Sequence, residues 1–386
     1  MSARVALVTH SVKPRGGFIH TVGLAEALHR DGVEVHLVAL GDPAAGLPLD
    51  AAVPHTVLPG PSHAGTSLED RVFVAIDTLE KGLQELAGRF DILHTQDCIA
   101  ARAAARVRDA GAPVTVVRTV HHVDDFTTRA LIDCQRAAIA EPDRVLVVSE
   151  QWRRILLDDH GRCATVVPNG VDVGRFPAPA PQRRAELRGR IPGGRFLFLG
   201  VGGIEPRKGT RHAFEALAML KRQRGPVASL AIVGGHSFQD YTAYRDAALA
   251  SLPALGLTLG EDVVLLGTVS DADLAGWYHT ADALCFPSVK EGWGLVVLEA
   301  MSAGIPVIAS DLPVFQEYLV DGVSALLPRA GDPAAIATAM ERLVVDDALR
   351  RRLVDGGRVV LPRYTWAASA ARHRAVYEEL CSPVAG

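Results

Sequence analysis

Two glutamates frame the most informative stretch of the sequence. Glu291 precedes the almost wholly apolar run 295–303, and Glu299 lies within it. Such a run, followed by Gly304, predicts a buried helix that ends at the glycine. A buried carboxylate is costly unless it is paired or hydrogen-bonded. Because helical side chains lean toward the N-terminus, Glu299 is expected to face the start of this helix.

The start of that helix is suited to an anion. The N–H groups near Gly294 and Leu295 have no partner within the helix and lie at the positive end of its dipole. Two carboxylates on either side of an anion seat fit a ligand with hydroxyls at both ends and phosphate in the middle, as in a sugar nucleotide. We expect the pentose of such a ligand to be the only adequate partner of Glu299. The alternative is a structural glutamate that accepts backbone hydrogen bonds.

A glycine-rich loop after a predicted strand offers a second anion site. The run 200–210 fits neither the dinucleotide fingerprint nor the P-loop, because Glu205 stands where the third glycine is needed and no glycine lies four residues before a Gly-Lys-Ser/Thr. With both motifs excluded, the run is a glycine-rich turn with Arg207 and Lys208 at the N-terminus of a predicted helix. Such a turn can bind a diphosphate; the alternative is a solvent-exposed basic turn without a ligand.

Two further loops lie in the first half of the chain. Gly16 and Gly17, in the loop 13–20 after the first strand, allow the backbone to approach a ligand closely, or mark a plain turn. His121 and His122 follow a predicted strand, and a histidine there can donate to a ligand or titrate near neutrality. A metal site needs more ligands at suitable spacing, so none is predicted.

An acidic pair elsewhere looks like a metal-binding D-x-D motif. Asp271 and Asp273 follow Ser270, however, and Leu274 follows at helical spacing. Serine is a preferred N-cap, and carboxylates in a first helical turn complement the helix dipole. We therefore predict the start of a helix here.

These residues lie between alternating strand-like and helix-like segments. The alternation implies parallel sheets covered on both faces. It runs once before and once after the proline-rich stretch 177–181, which is typical of a linker. The predicted fold class is α/β, with two doubly wound, Rossmann-like domains whose strand carboxyl ends face a central cleft. The predicted strands are 5–9, 33–38, 92–94, 114–118 and 144–148, then 195–200, 229–233, 263–266, 283–286 and 306–309; the predicted helices include 21–30, 210–222 and 271–280.

Composition narrows the class of protein. A chain of 386 residues allows two or three domains. Its 48% of hydrophobic and 22% of charged residues exclude disorder, and a formal net charge of −4 argues against a general nucleic-acid binder. No segment resembles a signal peptide or a bilayer span, and the five cysteines form no C-x-x-C pair. We expect a cytoplasmic protein whose membrane contact is at most peripheral.

The motifs together resemble those of the retaining, nucleotide-sugar-dependent glycosyltransferases of family 4, which have the GT-B fold. The resemblance covers almost the whole chain. Its most specific element is the E-x7-E signature formed by Glu291 and Glu299, with Trp293 where phenylalanine is usual. The other matching segments are 16–20 with 24–28, 91–94, 119–121, 167–172 with Phe176, and 306–310 with Glu317.

The resemblance implies a role for each matching residue. Glu299 would hold the ribose hydroxyls of the nucleotide, Glu291 the donor sugar, and His121 the donor near the reacting bond. Relatives usually carry an arginine at the position of Gly203, so either Arg207 reaches the phosphate instead or activity is weaker or differently arranged. The implied donor-binding residues are Gly16, Gly17, Gly203, Arg207, Lys208, Trp293, Gly294, Leu295 and Glu299, and the implied catalytic residues are His121, Glu291 and Lys208.

The implied activity is transfer of a sugar from a UDP- or GDP-linked donor to a hydroxyl of a carbohydrate, small-molecule or lipid-linked acceptor. The anomeric configuration would be retained, with no metal or other cofactor. The implied domains are an acceptor-side domain, 1–176, a nucleotide-sugar domain, 177–362, and a helix in 363–386 that crosses back to the first. Alternatives are a sugar-nucleotide epimerase or glycan phosphorylase of the same fold, or a non-catalytic sugar-nucleotide-binding protein.

Overall fold

The computed structural model describes residues 3–13, 16–45, 47, 52–61, 67–124, 126–235 and 241–382. The chain forms two compact units: unit 1 is Met1–Gly170 with Tyr364–Gly386, and unit 2 is Val171–Arg363. Each unit has one wholly parallel sheet with helices between successive strands. The predicted α/β class with two parallel-sheet domains is therefore confirmed.

Unit 1 contains a seven-stranded sheet in the order β3-β2-β1-β4-β5-β6-β7. The central strands are buried along almost their whole length, because helices cover both of their faces. The strands are β1 Arg4–Thr9, β2 Glu34–Gly41, β3 His55–Pro59, β4 Ile92–Thr95, β5 Thr115–Val120, β6 Arg144–Val147 and β7 Thr165–Val166. The helices are α1 Gly16–Arg30, α2 Leu68–Leu86, α3 Cys98–Asp109, α4 Arg129–Ala140 and α5 Glu150–His160, with α14 Trp366–Cys381 from the end of the chain.

Three sequence-based expectations for unit 1 need correction. Helix α1 begins at Gly16, not near Thr21, so the two glycines form its first turn. Edge strand β3 and strand β7 have no counterparts among the predicted strands. Both strands are short and only partly buried, which leaves little periodicity to detect. Pro14, Arg15 and Asp125, which belong to the predicted loops, lie outside the described residues.

Unit 2 contains a five-stranded sheet in the order β10-β9-β8-β11-β12. The strands are β8 Phe196–Val201, β9 Ala228–Val233, β10 Val263–Gly267, β11 Ala283–Phe286 and β12 Val307–Ala309. The helices are α6 Pro181–Gly189, α7 Thr210–Arg224, α8 Thr242–Ala250, α9 Asp271–Thr280, α10 Leu295–Ser302, α11 Pro313–Gln316, α12 Pro333–Val345 and α13 Asp347–Val360. The core lies between the sheet and α7, α12 and α13, around Phe198, Phe214 and Met340.

The terminal helix α14 packs on unit 1. It lies against α1 and contributes Trp366, Ala370, Val376 and Tyr377 to the core on that face of the sheet. Gly170 and Gly23 have no side chain where the backbone and ring of Trp366 approach. The segment that the sequence marked as crossing back therefore belongs structurally with the first half of the chain.

Candidate active site

In unit 2 the strand order reverses between β8 and β11. Parallel α/β sheets bind ligands at the carboxyl ends of the strands beside such a reversal. The loop after β8 leads through residues 202–209 into α7, and the loop after β11 leads through residues 287–294 into α10. These two loops carry most of the predicted donor-binding residues of this unit.

The two loops are joined through their backbones. Val289 N–H donates to the carbonyl of Arg207 at 2.8 Å. Gly209, in the left-handed region at φ 64°, lies so close that a Cβ there would be 2.0 Å from the carbonyl oxygen of Pro287. Only glycine fits this contact, so the sequence Lys208-Gly209 fixes the lysine beside the second loop.

Lys208 and Glu291 form a buried ion pair across the loops. Lys208 Nζ lies 2.5 Å from Glu291 Oε1, and the two side chains are 13% and 8% exposed. Ser288 donates to the same oxygen at 3.0 Å, and Arg207 reaches it at 3.3 Å while also pairing with Glu205 at 3.0 Å. The spacing of the motifs thus brings the predicted catalytic lysine and glutamate into contact.

Burial and charge act in opposite directions on this pair. Burial acts to raise the pKa of Glu291, but the attraction of Lys208 and Arg207 outweighs it and lowers that pKa. Burial lowers the pKa of Lys208, and the attraction of Glu291 opposes the change. Glu291 is therefore ionised at neutral pH, and its negative charge favours the protonated form of Lys208.

A side chain at Gly203 would be tightly packed in this loop. A Cβ there would lie 3.0 Å from Glu205 Oε1 and 3.1 Å from the carbonyl oxygen of Gly235. The nearly half-exposed Arg207 is held by Glu205 and Glu291, beside Lys208. The structure thus places a second cation in the loop, two residues C-terminal to Glu205.

Helix α10 begins at Leu295, directly after its N-cap Gly294, which has φ 86°. Within the described residues no side chain caps this helix, so its first N–H groups are open to a ligand. Trp293 is buried and packs its ring against Tyr318, whose hydroxyl donates to the Trp293 carbonyl at 3.0 Å. Trp293 therefore supports the loop through its packing.

Glu299 faces α9 rather than main-chain donors. Tyr278 donates its hydroxyl to Glu299 Oε2 at 2.7 Å. Burial raises the pKa of Glu299, while the Tyr278 hydrogen bond and the charge of Arg175 oppose that rise. The expectation that a ligand pentose is the only adequate partner of this carboxylate is wrong, because a tyrosine of the protein already serves one oxygen.

Tyr278, Arg175 and Ser288 do not stand out as site residues in the sequence. Tyr278 lies on the apolar stripe of α9 and is typical of a core residue by spacing alone. The available signal was chemical, since a buried tyrosine usually finds a hydrogen-bond partner for its hydroxyl.

The acidic pair at the start of α9 is structural, as predicted. Ser270 is the N-cap and accepts from Asp273 N–H at 3.1 Å. Asp271 pairs with Arg175 at 2.8 Å, and Asp273 pairs with Arg183. Among the described residues, no group of three or more His, Cys, Asp or Glu side chains could hold a metal ion.

An open pocket lies beside Lys208. Its empty volume is about 330 Å³, and it includes the glycine run that ends β8. The other lining residues are Lys208, Thr210, Ala213, Leu230, Ile232, Cys285, Phe286 and Pro287. A cationic side chain and a glycine-lined backbone thus share one concave surface in unit 2.

His121 belongs to unit 1 and lies at the carboxyl end of β5. Its Nε2 is 3.1 Å from Gln96 Oε1, and its ring meets that of His20 edge-on at 4.5 Å between centroids. Burial lowers the pKa of His121 to about 3, and the neighbouring His122 and Arg118 add to the effect. His121 is therefore neutral at physiological pH and able to form hydrogen bonds without carrying charge.

The predicted residues of unit 1 lie on elements different from those of unit 2. Gly17 is exposed in the first turn of α1, and His121 and His20 are neighbours. The donor-binding roles of Gly16 and Gly17, and the role of His121 near the reacting bond, remain predictions.

Two family models match the chain. A model of glycosyl transferases group 1 matches residues 183–360, and a model of Glycosyltransferase Family 4 matches residues 14–175. The matches cover most of unit 2 and most of unit 1. They agree with the family suggested by the sequence motifs.

Curated relatives cover nearly the full length. The chain is 31% identical over 376 residues to the phosphatidyl-myo-inositol mannosyltransferase of Mycobacterium leprae, covering 96% of this chain and 94% of the relative. It is 27% identical over 390 residues to the D-inositol 3-phosphate glycosyltransferase of Xylanimonas cellulosilytica, covering 94% and 91%.

Solved structures share the fold. Sucrose-phosphate synthase from Thermosynechococcus elongatus matches with a TM-score of 0.81 at 23% identity, over 97% of this chain and 98% of that one. Anabaena Alr3699/HepE, crystallised with UDP-glucose, matches with a TM-score of 0.79 at 18% identity, over 98% and 100%.

The fold, the motifs and the relatives define an enzyme that transfers a sugar, a glycosyltransferase of the hexosyltransferase type. The chain belongs to the group 1, family 4 glycosyltransferases. No helix in the described part of the chain is long and apolar enough to cross a bilayer.

Proposed function

We propose that the protein transfers a hexose from a UDP- or GDP-linked donor to a hydroxyl acceptor, with retention of anomeric configuration and without a metal. The observation that carries this proposal is the group of anion-binding features at the carboxyl end of the unit 2 sheet. Lys208 and Arg207 meet Glu291 there. In the same unit no side chain of the described residues caps the start of helix α10, and Glu299 lies one turn further along that helix.

The diphosphate of the donor would be held by charge and by backbone. Lys208 and Arg207 carry two positive charges, but Glu205 and Glu291 already balance them. The backbone N–H groups at the start of α10 would therefore stabilise much of the negative charge that develops on the leaving diphosphate, by donating hydrogen bonds to its oxygens. Preorganised donors of this kind are a large source of catalysis, because they require no reorganisation during the reaction.

The proposed reaction is a front-face substitution. The bond between the anomeric carbon and the diphosphate oxygen breaks, and the acceptor oxygen bonds to the same face. The departing phosphate oxygen takes the acceptor's hydroxyl proton, so no side-chain nucleophile is required. Glu291 would accept hydrogen bonds from donor-sugar hydroxyls, and Lys208 would stabilise the leaving group.

For the acceptor we propose hydroxyl compounds containing inositol as the first class to test. The support is the pair of relatives named for phosphatidyl-myo-inositol and for D-inositol 3-phosphate. Other carbohydrate, small-molecule and lipid-linked acceptors belong in the same panel. A reducing cytoplasm is the proposed location, in keeping with five cysteines that are all free thiols.

The test is a matrix of donors and acceptors. UDP- and GDP-linked hexoses are combined with myo-inositol, its phosphates, phosphatidylinositol vesicles and simple sugars, with and without EDTA. Release of nucleoside diphosphate is measured, and the anomeric configuration of the product is assigned by NMR. We expect acceptor-dependent release, retained configuration and no loss with EDTA.

Each alternative gives a different result in that matrix. Conversion of the donor to its epimer without an acceptor would indicate an epimerase. Tight nucleotide binding with no turnover across the panel would indicate a binding protein. An inverted product or a requirement for metal would contradict the proposed mechanism.

A further inference from the structure

A tyrosine holds the carboxylate of Glu299 from one side only. Tyr278 is fully buried in α9, and its hydroxyl lies 2.7 Å from Glu299 Oε2. Because burial raises the pKa of Tyr278 well above its ordinary value, this tyrosine remains a hydrogen-bond donor at any physiological pH. Within the described residues, Oε1 of Glu299 accepts no hydrogen bond. One oxygen is thus fixed by the protein, and the other is available to a ligand.

Tyr278 is itself fixed by the segment that precedes α6. The ring of Phe176 meets the Tyr278 ring edge-on at 5.2 Å, and the carbonyl of Phe176 lies 2.8 Å from His279 Nε2. Arg175 stacks over Phe176 at 5.3 Å and pairs with Asp271, in the first turn of α9, at 2.8 Å. This segment therefore contacts α9 through an ion pair, a ring contact and a hydrogen bond.

The charges near Glu299 come from the same two elements. Tyr278 and Asp271 act on it from α9, and Arg175 acts on it from the preceding segment. Asp271 disfavours the ionised carboxylate and Arg175 favours it. The described residues of α13, β11 and β12, which also pack against α10, add no charged group that acts on Glu299.

We propose that Tyr278 is a positioning residue for the donor nucleotide, holding Glu299 so that Oε1 accepts from a ribose hydroxyl, and that Arg175 supports Tyr278 through its ion pair with Asp271 in the first turn of α9. The inference rests on the proposed nucleotide-sugar donor. It extends that proposal to two residues that the sequence motifs did not mark as site residues. A carboxylate with one oxygen fixed loses less ordering entropy on binding than a freely rotating one.

The experiment compares four full-length proteins: wild type, Tyr278→Phe, Arg175→Gln and the control Arg183→Gln. Arg183 pairs with Asp273 in the same first turn of α9 as the Arg175–Asp271 pair, but it does not act on Glu299. UDP, GDP and their 2′-deoxy forms are titrated calorimetrically from pH 5.5 to 8. Thermal melts confirm that each variant is folded.

We expect Tyr278→Phe to weaken binding of the preferred nucleotide about tenfold, as loss of a hydrogen bond to a charged group predicts. The loss should grow as pH falls, because a carboxylate without its donor protonates more readily. The ratio of the Kd for the 2′-deoxy nucleotide to the Kd for the ribonucleotide should be smaller in Tyr278→Phe than in the wild type. Arg175→Gln should act in the same direction, and Arg183→Gln should match wild type.

Failure of this inference is distinct from failure of the proposed function. Wild-type affinity, pH profile and ribose preference in Tyr278→Phe would overturn the positioning role while leaving the donor class intact. An equal loss in Arg183→Gln and Arg175→Gln would show a general effect of α9 and overturn the role of Arg175. Absence of nucleotide binding by the wild type would overturn the proposed donor and this inference with it.

Discussion

At the scale of single residues, the pairing of Lys208 with Glu291 is the feature closest to chemistry. The lysine is buried and its carboxylate partner is shared with Ser288 and Arg207. A cation already held in place does not have to reorganise as charge develops on a leaving group. Its removal should therefore slow turnover, and it should also destabilise the fold because Glu291 loses its buried partner.

Lys208→Ala is expected to lower kcat by about 10²–10³, the range found when one preorganised donor is lost. Arg207→Ala should lower kcat/KM by a smaller factor, because that side chain is nearly half exposed. Steady-state kinetics on the best donor and acceptor provide the measurement. Arg222→Ala, an exposed residue of α7, is the control. Near-normal kcat in Lys208→Ala would contradict the proposed role of this lysine in stabilising the leaving group.

The sequence predicts which loops come together where a motif marks each of them, while the roles of their residues remain predictions. Lys208 and Glu291 each belong to a recognisable loop, and parallel-sheet topology brings such loops to one edge. Glu299 was placed in the right helix, but its partner Tyr278 lies on a separate element with only core-like spacing. A contact between two helices depends on packing that no local pattern encodes.

At the scale of elements, the start of α10 depends on one glycine. Gly294 adopts φ 86°, and a Cβ there would lie 2.4 Å from Cε1 of the fully buried Phe315. The loop can therefore turn into the helix, and expose its first N–H groups, only when this position has no side chain. Gly304, just after the other end of the helix, has φ 75°. A Cβ there would have no described atom within 4 Å, apart from atoms of its own chain neighbours.

The two glycines make a matched pair of variants. Gly304→Ala should destabilise the protein by about 1–2 kcal/mol, the cost of a left-handed conformation with a Cβ. Gly294→Ala should cost more and should also weaken nucleotide binding, because the clash displaces the start of α10. Denaturant unfolding and nucleotide titration measure both effects. Equal destabilisation and unchanged binding would show that the loop tolerates a side chain.

Element boundaries illustrate where sequence patterns stop being informative. The buried strands and helices α7 and α9 are predicted nearly to their ends, because their apolar runs are long. The start of α1 is missed because Gly16 and Gly17 are poor helix formers, which tertiary packing overrides. Strand β3 is missed because it is a short, half-buried edge strand whose burial does not alternate cleanly.

At the scale of the molecule, unit 1 is built around buried histidines. His94 is hydrogen-bonded to Tyr377 at 2.6 Å and to Thr119 at 2.8 Å, while His373 in α14 lies 2.9 Å from the carbonyl of Ser369. Burial lowers the pKa of His373 to about 4 and that of His94 well below its ordinary value. The packing of α14 on the sheet therefore requires neutral imidazoles.

Unit 1 should lose stability in acid for this reason. Below about pH 6.5 the histidines of the unfolded chain bind protons, whereas the buried histidines of the folded protein stay neutral. Their contribution to the free energy of unfolding is therefore fully present above that pH and is lost as the pH falls toward 4. Each fully buried histidine contributes a slope of about 1.4 kcal/mol per pH unit over that range. Calorimetric melting between pH 7.5 and 4.5 measures it.

A histidine variant isolates the effect. His373→Leu should be less stable than wild type at pH 7.5, because it loses the hydrogen bond to Ser369, but its stability should fall less steeply with acid. His55→Ala, at an exposed position of the same unit, should keep the wild-type slope. Parallel slopes for wild type and His373→Leu would show that this histidine does not control the acid response.

The overall architecture could be predicted because it repeats simple rules. Alternating strands and helices require parallel sheets, and the strand orders β3-β2-β1-β4-β5-β6-β7 and β10-β9-β8-β11-β12 place the glycine loops where ligands bind. The histidine network of unit 1 could not be predicted, since it joins β4, β5 and α14, and His94 and Tyr377 are 283 residues apart. Distant polar pairs of this kind have no signal in one sequence.

The most direct test of the proposed donor site is a crystal structure of the protein with its nucleotide-sugar donor bound. We expect a ribose hydroxyl within about 2.6–3.2 Å of Glu299 Oε1. Diphosphate oxygens should lie on Lys208 Nζ and on the backbone N–H groups of Gly294 and Leu295. A donor bound elsewhere, or one bound in unit 2 with its ribose away from Glu299, would contradict the proposed site.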